Sequence, residues 1–262
     1  MREEDVIVRA MDSNRDKVLL VTGGSRGIGA AIARGAARSG WRVVVNYARA
    51  AEAAEAVVRE IESAGGSALA LQGDVAREED VLATFGEIDR RFGRIDGLVN
   101  NAGIVGKLGR FDQIETADLR RVFEVNTFGA FLSAREAVKR MSTRHGGRGG
   151  AIVNMSSAAA SIGSAGEFVH YAASKAALNA MTLGLAREVA REGIRVNAVE
   201  PGLVETDMHE AIGGSARTER LMATIAIGRS ASTEEIADPV LYLLSDAASY
   251  VTGAVLRAAG GR

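Results

Sequence analysis

Residues 18–29 read VLLVTGGSRGIG, an apolar run followed by a glycine-rich turn and the start of an alanine-rich segment. A short apolar, β-branched run predicts a buried strand, and the segment at 28–39 predicts a helix. Glycines between a strand and a helix let the backbone turn sharply and approach a pyrophosphate, whose negative charge then lies at the helix N-terminus. The stretch therefore predicts the phosphate-binding turn of a dinucleotide-binding α/β fold.

The same alternation of strand and helix continues to the end of the chain. Apolar runs predict strands at 18–22, 42–46, 68–72, 97–101, 151–156, 195–199 and 254–256, and helical patterns cover 28–39, 51–64, 77–92, 117–141, 169–191 and 234–244. Parallel strands covered by helices on both faces have this pattern. We predict a single-domain Rossmann fold of the α/β class, with a doubly wound parallel sheet of about seven strands. Residues 1–16 form an N-terminal tail, and 17–262 form the dinucleotide-binding and catalytic domain.

Composition excludes several classes of function. The 262 residues include 32 basic and 33 acidic side chains spread along the chain, so neither nucleic acid nor a membrane surface is an expected partner. The three histidines lack metal-ligand spacing, and no metal is expected. The chain has no cysteine, begins with acidic residues that break a signal-peptide pattern, and contains no run of about 18 apolar residues. We expect a cytoplasmic protein.

A tyrosine and a lysine lie four residues apart within the helix predicted at 169–191. Tyr171 and Lys175 would project from one face of that helix. A cation beside a phenol favours the phenolate and lowers the tyrosine pKa toward neutrality, where the phenol can exchange protons in catalysis. The pair is therefore a candidate acid/base device, although a pair of this kind also arises by chance.

The glycine spacing, with Thr22 before Gly23, Gly27 and Gly29, resembles the classical short-chain dehydrogenase/reductase family, in particular 3-oxoacyl-carrier-protein reductases and glucose dehydrogenases. The resemblance extends in order over nearly the whole chain. The further matching pieces are Asp74-Val75, Asn100-Asn101-Ala102-Gly103, Asn126, Ser157, Tyr171-x-x-x-Lys175 and Pro201-Gly202. The resemblance implies a hydride transfer between a nicotinamide cofactor and a carbonyl or secondary alcohol.

The resemblance also implies a role for each catalytic residue. Ser157 would hydrogen-bond the substrate oxygen, and Tyr171 would donate or accept its proton. Lys175 would lower the tyrosine pKa and hold the nicotinamide ribose, while Asn126 would fix a water that links Lys175 to solvent. Ser157 precedes Tyr171 by 14 residues, where much of the family has 13, a position held here by Ala158. A one-residue insertion explains this interval, and we prefer Ser157 over the neighbouring Ser156.

The cofactor-binding residues follow from the same matches. They are Gly23, Ser25, Arg26, Gly27, Ile28 and Gly29 in the turn; Asn46, Tyr47 and Arg49 after the second strand; Asp74 and Val75 at the adenine; Asn101, Ala102 and Gly103 at the adenosine ribose; and Pro201, Gly202, Val204 and Thr206 at the nicotinamide, together with Tyr171 and Lys175. Asn46 stands where an NAD-binding fold usually carries an acidic residue. Arg26, with Arg49 as a second cation or merely a solvated residue, could bind a 2′-phosphate, so we predict NADP (NADPH) over NAD.

The sequence does not identify the substrate beyond its class, and we expect a small-molecule carbonyl or alcohol. The segment 203–228 lies where the family has a mobile substrate lid. Six residues are candidates for the substrate pocket, with packing or solvent exposure as the alternative for each. They are Met208, His209, Ile212, Gly163, Phe168 and His170. Lys107 and Arg110 are candidates for a phosphate or acyl-carrier contact. The resemblance implies a homotetramer built on the Tyr-bearing helix and the last helix and strand. An NAD-dependent sugar or polyol dehydrogenase and a non-catalytic dinucleotide-binding regulator are the alternatives.

Overall fold

Seven short strands, each rich in buried apolar residues, form one sheet in the computed structural model, which describes residues 14, 16–206 and 220–262. The strands are β1 (Val18–Val21), β2 (Arg42–Tyr47), β3 (Ser67–Gln72), β4 (Gly97–Asn100), β5 (Gly150–Met155), β6 (Ile194–Pro201) and β7 (Val255–Ala258). Their order is β3-β2-β1-β4-β5-β6-β7, and every neighbouring pair is parallel. The predicted fold class is confirmed.

Eight helices connect and cover these strands in the part of the chain that is described. They are α1 (Gly27–Arg38), α2 (Ala51–Ser63), α3 (Glu78–Phe92), α4 (Thr116–Phe123), α5 (Gly129–Met141), α6 (Ala159–Ile162), α7 (Val169–Val189) and α8 (Thr233–Leu244). Side chains alternate between the two faces of a strand. In β1, Leu19 and Val21 pack with α1, α2 and α8, whereas Val18 and Leu20 pack with α3, α5 and α7. Helices therefore lie on both faces of the sheet.

The helix predicted without a break over 117–141 is interrupted. Residues Glu124–Phe128 form a turn of π-helix between α4 and α5, and the buried side chain of Asn126 lies within it. A π turn inserts one extra residue into the helical repeat and is often found at functional sites. The sequence pattern missed it because both flanking segments keep an ordinary helical period. The four-residue α6 was also not predicted.

All seven carboxyl ends lie at one edge of the sheet because the strands are parallel. The glycine turn, the segment after Asn100, Ser157 and Gly202 follow β1, β4, β5 and β6, so this edge brings the predicted site residues together. The boundary proposed between residues 1–16 and 17–262 stays a prediction, since 1–13 and 15 are not described. Of the helices that are described, none has the length and apolar character needed to cross a membrane.

Candidate active site

The glycine turn has room for backbone only. A Cβ on Gly29 would lie 2.4 Å from the Gly23 carbonyl oxygen and 2.5 Å from Asn101 Nδ2, and one on Gly23 would lie 2.9 Å from the Ala102 Cα. Gly23 and Gly27 also adopt φ of +62° and +53°, in the left-handed region that favours glycine. The N-terminus of α1 begins at Gly27, so its free N–H groups and dipole face the turn.

Asn101 and Thr22 hold this turn against the end of β4. Asn101 Nδ2 donates to the carbonyls of Thr22 and Gly23, each at 3.0 Å. Thr22 Oγ1 accepts hydrogen bonds from the backbone N–H groups of Asn101 and Ala102, at 3.0 and 3.1 Å. The resemblance assigned the Asn101 amide to the adenosine ribose, but the amide donates its hydrogen bonds to the glycine turn. Thr22 takes part in the same contacts, and the sequence analysis had named it only as part of the glycine motif.

The end of β2 adjoins the glycine turn through the N–H of Gly24, which donates to the Asn46 carbonyl at 2.9 Å. The Asn46 side chain is buried and donates to the carbonyl of Gly73 at 3.0 Å, so it joins β2 to the segment after β3. Arg26 and Arg49 are exposed, and among the described residues neither forms an ion pair. Arg49 nevertheless lies close enough to Asp74 to lower its pKa, whereas no described carboxylate pairs with Arg26, at an edge that lacks the acidic residue of an NAD site. Ser25, Ile28 and Tyr47 are partly buried nearby.

Asp74 lies after β3, where its carboxylate is held by two donors. Oδ1 accepts the N–H of Ala76 at 3.0 Å, and Oδ2 accepts from Arg121 on α4 at 2.7 Å. Burial acts to raise the pKa of Asp74, but these hydrogen bonds outweigh it and keep the pKa below its ordinary value. Val75 is buried against Gly129, where a Cβ would lie 2.7 Å from its side chain. Arg121 belongs to no recognisable sequence motif, so the sequence analysis did not identify it.

The two serines after β5 have different surroundings. Ser156 is buried, and its Oγ donates to the Lys175 carbonyl on α7 at 3.0 Å. Ser157 is partly exposed, accepts the N–H of Ala159 at 3.2 Å, and lies near enough to Tyr171 to lower the pKa of the phenol. Ser157 is therefore the serine beside the phenol, whereas Ser156 anchors the helix that carries the phenol.

Tyr171 and Lys175 lie on successive turns of α7, with the ammonium 5.9 Å from the centre of the phenol ring. Lys175 is only 4% exposed, and its Nζ donates to the Met155 carbonyl at 2.7 Å. Burial lowers the pKa of Lys175 to about 8. Burial also raises the pKa of Tyr171, and the hydrogen bond with Ser157 only partly offsets the rise. This direction is opposite to the one expected from the pair, because burial of the phenol dominates its pKa.

Asn126, in the π turn, is only 1% exposed and pairs with the backbone of Ile104. Its Oδ1 accepts the Ile104 N–H and its Nδ2 donates to the Ile104 carbonyl, both at 2.8 Å. Nδ2 also lies 3.0 Å from Ser174 Oγ, which donates to the Tyr171 carbonyl at 2.7 Å. A Cβ on Gly103 would lie 3.2 Å from Lys175 Nζ. Ser174, next to Lys175 in the sequence, thus belongs to the site although the prediction omitted it.

The segment after β6 passes behind the glycine turn. Gly202 donates its N–H to the Ala258 carbonyl at 2.9 Å, and a Cβ on it would meet the Ala259 Cα at 2.8 Å. The carbonyl of Pro201 accepts the N–H of Ala158 at 2.9 Å. Val204 is buried in the core, so its side chain packs rather than lines a cleft. The methyl group of Thr206 comes within 3.4 Å of the place a Cβ on Gly27 would occupy.

The predicted pocket residues divide into three groups. Met208, His209 and Ile212 lie outside the described residues. Phe168 and His170 are buried, and His170 Nε2 lies 3.3 Å from Asp118 Oδ2, directed away from open space. Gly163 is exposed at the end of α6. Lys107 and Arg110 are exposed and paired with Glu115 and Asp112.

The residues present fit a phosphorylated dinucleotide. The turn excludes side chains at Gly23 and Gly29, the first turn of α1 offers backbone N–H donors for a pyrophosphate, and the exposed Arg26, which no described carboxylate neutralises, could meet a further phosphate. A basic buried lysine and a phenol lie at the same edge of the sheet. This arrangement can bind the cofactor along the edge and transfer a proton at the phenol.

Comparisons with known proteins agree with this geometry. A family model described as Enoyl-(Acyl carrier protein) reductase matches residues 23–262. The chain is 47% identical over 245 residues to the uncharacterized oxidoreductase YgfF of Escherichia coli (strain K12), covering 94% of this chain and 99% of that one. It is 40% identical over 247 residues to the 3-oxoacyl-(acyl-carrier-protein) reductase FabG of Staphylococcus aureus (strain Mu50), covering 94% and 97%.

Solved structures agree as well. A dehydrogenase/reductase from Sinorhizobium meliloti 1021 superposes with a TM-score of 0.90 at 36% identity, covering 98% of each chain. A blue fluorescent protein from a metagenomic library, in complex with NADPH, gives a TM-score of 0.87 at 36% identity, covering 94% of this chain and 98% of that one. The chain belongs to the short-chain dehydrogenase/reductase family and is an oxidoreductase of that family.

Burial of Lys175 makes a prediction for the pH dependence of stability. Between the folded pKa of about 8 and the ordinary value of 10.5, the unfolded chain binds more protons at this residue than the folded chain does. The contribution of Lys175 to the free energy of unfolding therefore becomes more favourable as the pH rises through this window. Below the window, the buried ammonium destabilises the fold by its full amount. Lys175→Met removes the titration, so the wild type should gain stability relative to the variant as the pH rises.

The measurement is urea denaturation of both proteins, at one protein concentration and at several pH values on either side of the window. Two stability curves that run parallel through the window would contradict a lowered lysine pKa.

Proposed function

We propose that this member of the short-chain dehydrogenase/reductase family transfers a hydride between NADP(H) and a carbonyl or secondary alcohol, with Tyr171 as the acid/base group. The proposal is supported by the position of Ser157 beside Tyr171, near enough to lower the pKa of the phenol, together with the buried Lys175 ammonium 5.9 Å from the phenol ring. Two hydroxyl groups that meet at the carboxyl edge of a dinucleotide-binding sheet can both reach one substrate oxygen. The reductases among the relatives support the same reaction class.

In the reducing direction, Tyr171 donates its proton to the substrate oxygen while Ser157 Oγ donates a hydrogen bond to the same atom. When bound, NADPH supplies the hydride that the carbonyl carbon accepts. The raised pKa of Tyr171 keeps the phenol protonated at neutral pH, which suits a proton donor. Lys175, cationic below a pH of about 8, would stabilise the phenolate left after transfer, and we assign to it the contact with the nicotinamide ribose.

Asn126 and Ser174 act on this site by positioning. Asn126 joins the π turn to Ile104, and through Ser174 it reaches the carbonyl of Tyr171. We propose that Asn126 fixes the position of α7 relative to the loop at 104–110. We also propose that it would bind a water linking Lys175 to solvent. The remaining predicted contacts, from Asp74 and Val75 at the adenine to Pro201 and Thr206 at the nicotinamide, belong to this proposal.

The preference for NADP rests on charge. Arg26 lies in the glycine turn and pairs with no described carboxylate, while Arg49 follows β2 and lies close enough to Asp74 to lower its pKa. A 2′-phosphate would gain charge-assisted hydrogen bonds from these guanidinium groups, whereas the 2′-hydroxyl of NAD would find no acidic acceptor at Asn46. The NADPH complex of the metagenomic relative is consistent with this assignment.

The homotetramer remains part of the proposal, with two exposed apolar surfaces to build it. The first surface comprises Leu119, Phe128, Phe131 and Leu183, on α4, the π turn, α5 and α7. The second comprises Tyr242, Tyr250 and Leu256, around α8 and the edge strand β7. Two different self-complementary surfaces are what a tetramer with perpendicular two-fold axes requires. A cytoplasmic location and the absence of a metal stay predictions.

The catalytic assignment predicts distinct effects for three substitutions. Tyr171→Phe cannot transfer the proton and should lose about 10²- to 10⁴-fold in turnover. Ser157→Ala should lose about 10²- to 10³-fold, because one donor to the substrate oxygen is removed. Ser156→Ala should keep turnover and lose about 1 kcal/mol of stability, because its hydroxyl serves the Lys175 carbonyl.

The assay is consumption of NADPH and of NADH with a panel of aldehydes, ketones and sugars, each variant being checked for cofactor binding. Turnover that persists in Tyr171→Phe would reject the mechanism. Tight cofactor binding with no turnover of any substrate by the wild type would favour a regulator, and NADH-dependent oxidation of sugars alone would favour the polyol dehydrogenase.

The cofactor assignment predicts that Arg26→Ala weakens NADPH binding by about 10- to 100-fold and leaves NADH binding unchanged. Arg38→Ala is the matched control, since Arg38 is an exposed arginine in the last turn of the same helix. Fluorescence titration of both cofactors measures the two dissociation constants. Equal affinity of the wild type for NADH and NADPH, or equal losses for both cofactors in Arg26→Ala, would overturn the preference.

The proposed assembly predicts a mass of about four chains of 27.4 kDa each in sedimentation equilibrium. Phe131→Asp places a charge on the first surface and should split the tetramer into dimers. A wild-type protein that sediments as a monomer contradicts the assignment of both surfaces.

A further inference from the structure

We propose that the site takes small, uncharged, apolar carbonyl compounds and discriminates against anionic substrates, including acyl groups on a phosphorylated carrier. The inference rests on the proposed function and adds to it the chemical class of the substrate. It departs from the acyl-carrier substrate in the name of the Staphylococcus aureus relative. Three features of the described residues carry it: where one loop lies, which side chains are exposed along the site, and how their charges are paired.

The segment 103–111 runs along the first turn of α7, beside Tyr171. A Cβ on Gly106 would lie 2.6 Å from His170 Nε2, so the loop backbone is packed directly against the residue that precedes the phenol. Further along, Gly109 donates its N–H to the Glu167 carbonyl at 3.0 Å. The side chains exposed on this loop therefore border the approach to the proposed proton donor.

The exposed side chains along this approach are apolar. Leu108 is 49% exposed on the loop and Phe111 is 70% exposed just beyond it. Across the site, Ile162 is 47% exposed at the end of α6, the short helix that begins two residues after Ser157. Large apolar side chains that remain in water next to reacting groups favour a ligand that buries them.

The cations on this side of the site are already neutralised. Lys107 Nζ lies 3.0 Å from Glu115 Oε1, and Arg110 Nε lies 2.9 Å from Asp112 Oδ1. These were the two side chains that the sequence offered as contacts for a phosphate or an acyl carrier. A phosphate or carboxylate on the substrate would have to displace a carboxylate to reach either cation, and the exchange gains little charge.

The described segments on this side of the site offer no unpaired cation to an anionic substrate. Residues 104–115 are balanced, with two basic and two acidic side chains, and the single acidic residue of 157–168, Glu167, pairs with Arg220. A charged substrate group would therefore lose its hydration beside apolar side chains without gaining an opposite charge from these segments. Arg26 and Arg49 follow β1 and β2, away from this loop.

The test uses the full chain with saturating NADPH and three aromatic aldehydes of similar reactivity. The probes are benzaldehyde, methyl 4-formylbenzoate and 4-formylbenzoate, of which only the last is charged. We expect kcat/KM to be at least about tenfold higher for the neutral ester than for the carboxylate, because the charged probe would lose hydration beside apolar side chains without meeting an unpaired cation there.

Two variants test the apolar border. Leu108→Asn should lower kcat/KM for benzaldehyde about tenfold, mainly through KM, and Ile162→Asn should act in the same direction. Leu82→Asn is the matched control, because Leu82 is 45% exposed on α3, outside the segments that border the site. A carboxylate reduced as well as its ester, or a Leu108→Asn variant that behaves like Leu82→Asn, overturns the inference.

Failure of the proposed function can be distinguished from failure of this inference. If none of the three aldehydes is reduced, their binding to the NADPH complex is measured by ligand-detected NMR, which does not require turnover. Preferential binding of the neutral probes then supports the substrate class while the catalytic proposal fails. Equal binding of the carboxylate, or no binding by any probe, overturns the substrate class.

Discussion

The hydrogen bonds that join the carboxyl ends of β1 and β4 hold the cofactor edge together. Asn101 donates to the carbonyls of Thr22 and Gly23, and the Thr22 hydroxyl accepts from the backbone that follows β4. This contact leaves no space for a Cβ on Gly29, whose absent side chain lets the first turn of α1 approach. The N–H groups of that turn can face a phosphate only because the backbone around them is fixed in this way.

The proton-transfer site is organised by a second set of buried contacts, which tolerates a buried lysine. The carbonyl of Met155 accepts from Lys175, and the pKa of about 8 leaves the ammonium close to losing its proton near neutral pH. Asn126 reaches the same helix from the other side through Ser174. The π turn is what brings the Asn126 amide level with Ile104, since it shifts the helical repeat at this residue. Local irregularity and a buried charge thus occur where the chemistry is proposed.

The net charge of the chain is -1, but the exposed cations at two edges of the site differ in how they are paired. At the end of β1, Arg26 is exposed and pairs with no described carboxylate, while Arg49 after β2 lies close enough to Asp74 to lower its pKa. Along the loop after β4, the exposed cations Lys107 and Arg110 are each paired with an acid. The proposed cofactor preference and the proposed substrate class both rest on this difference. Composition gives only the total charge of the chain and does not predict how the charges are paired at either edge.

The sequence by itself determined the seven strands, the order of strand and helix, and the glycine turn, because hydrophobic period and glycine spacing are local properties. The Tyr171 and Lys175 pair also followed from helical spacing alone. The sequence already favoured Ser157 over Ser156, and the tertiary structure adds the physical difference, because strand alternation and helix packing bury Ser156 against α7 and leave Ser157 beside the phenol. Only the tertiary structure decided the direction of the Tyr171 pKa and the ion pairs of Lys107 and Arg110. Burial and charge pairing depend on residues distant in sequence, and local patterns do not encode them.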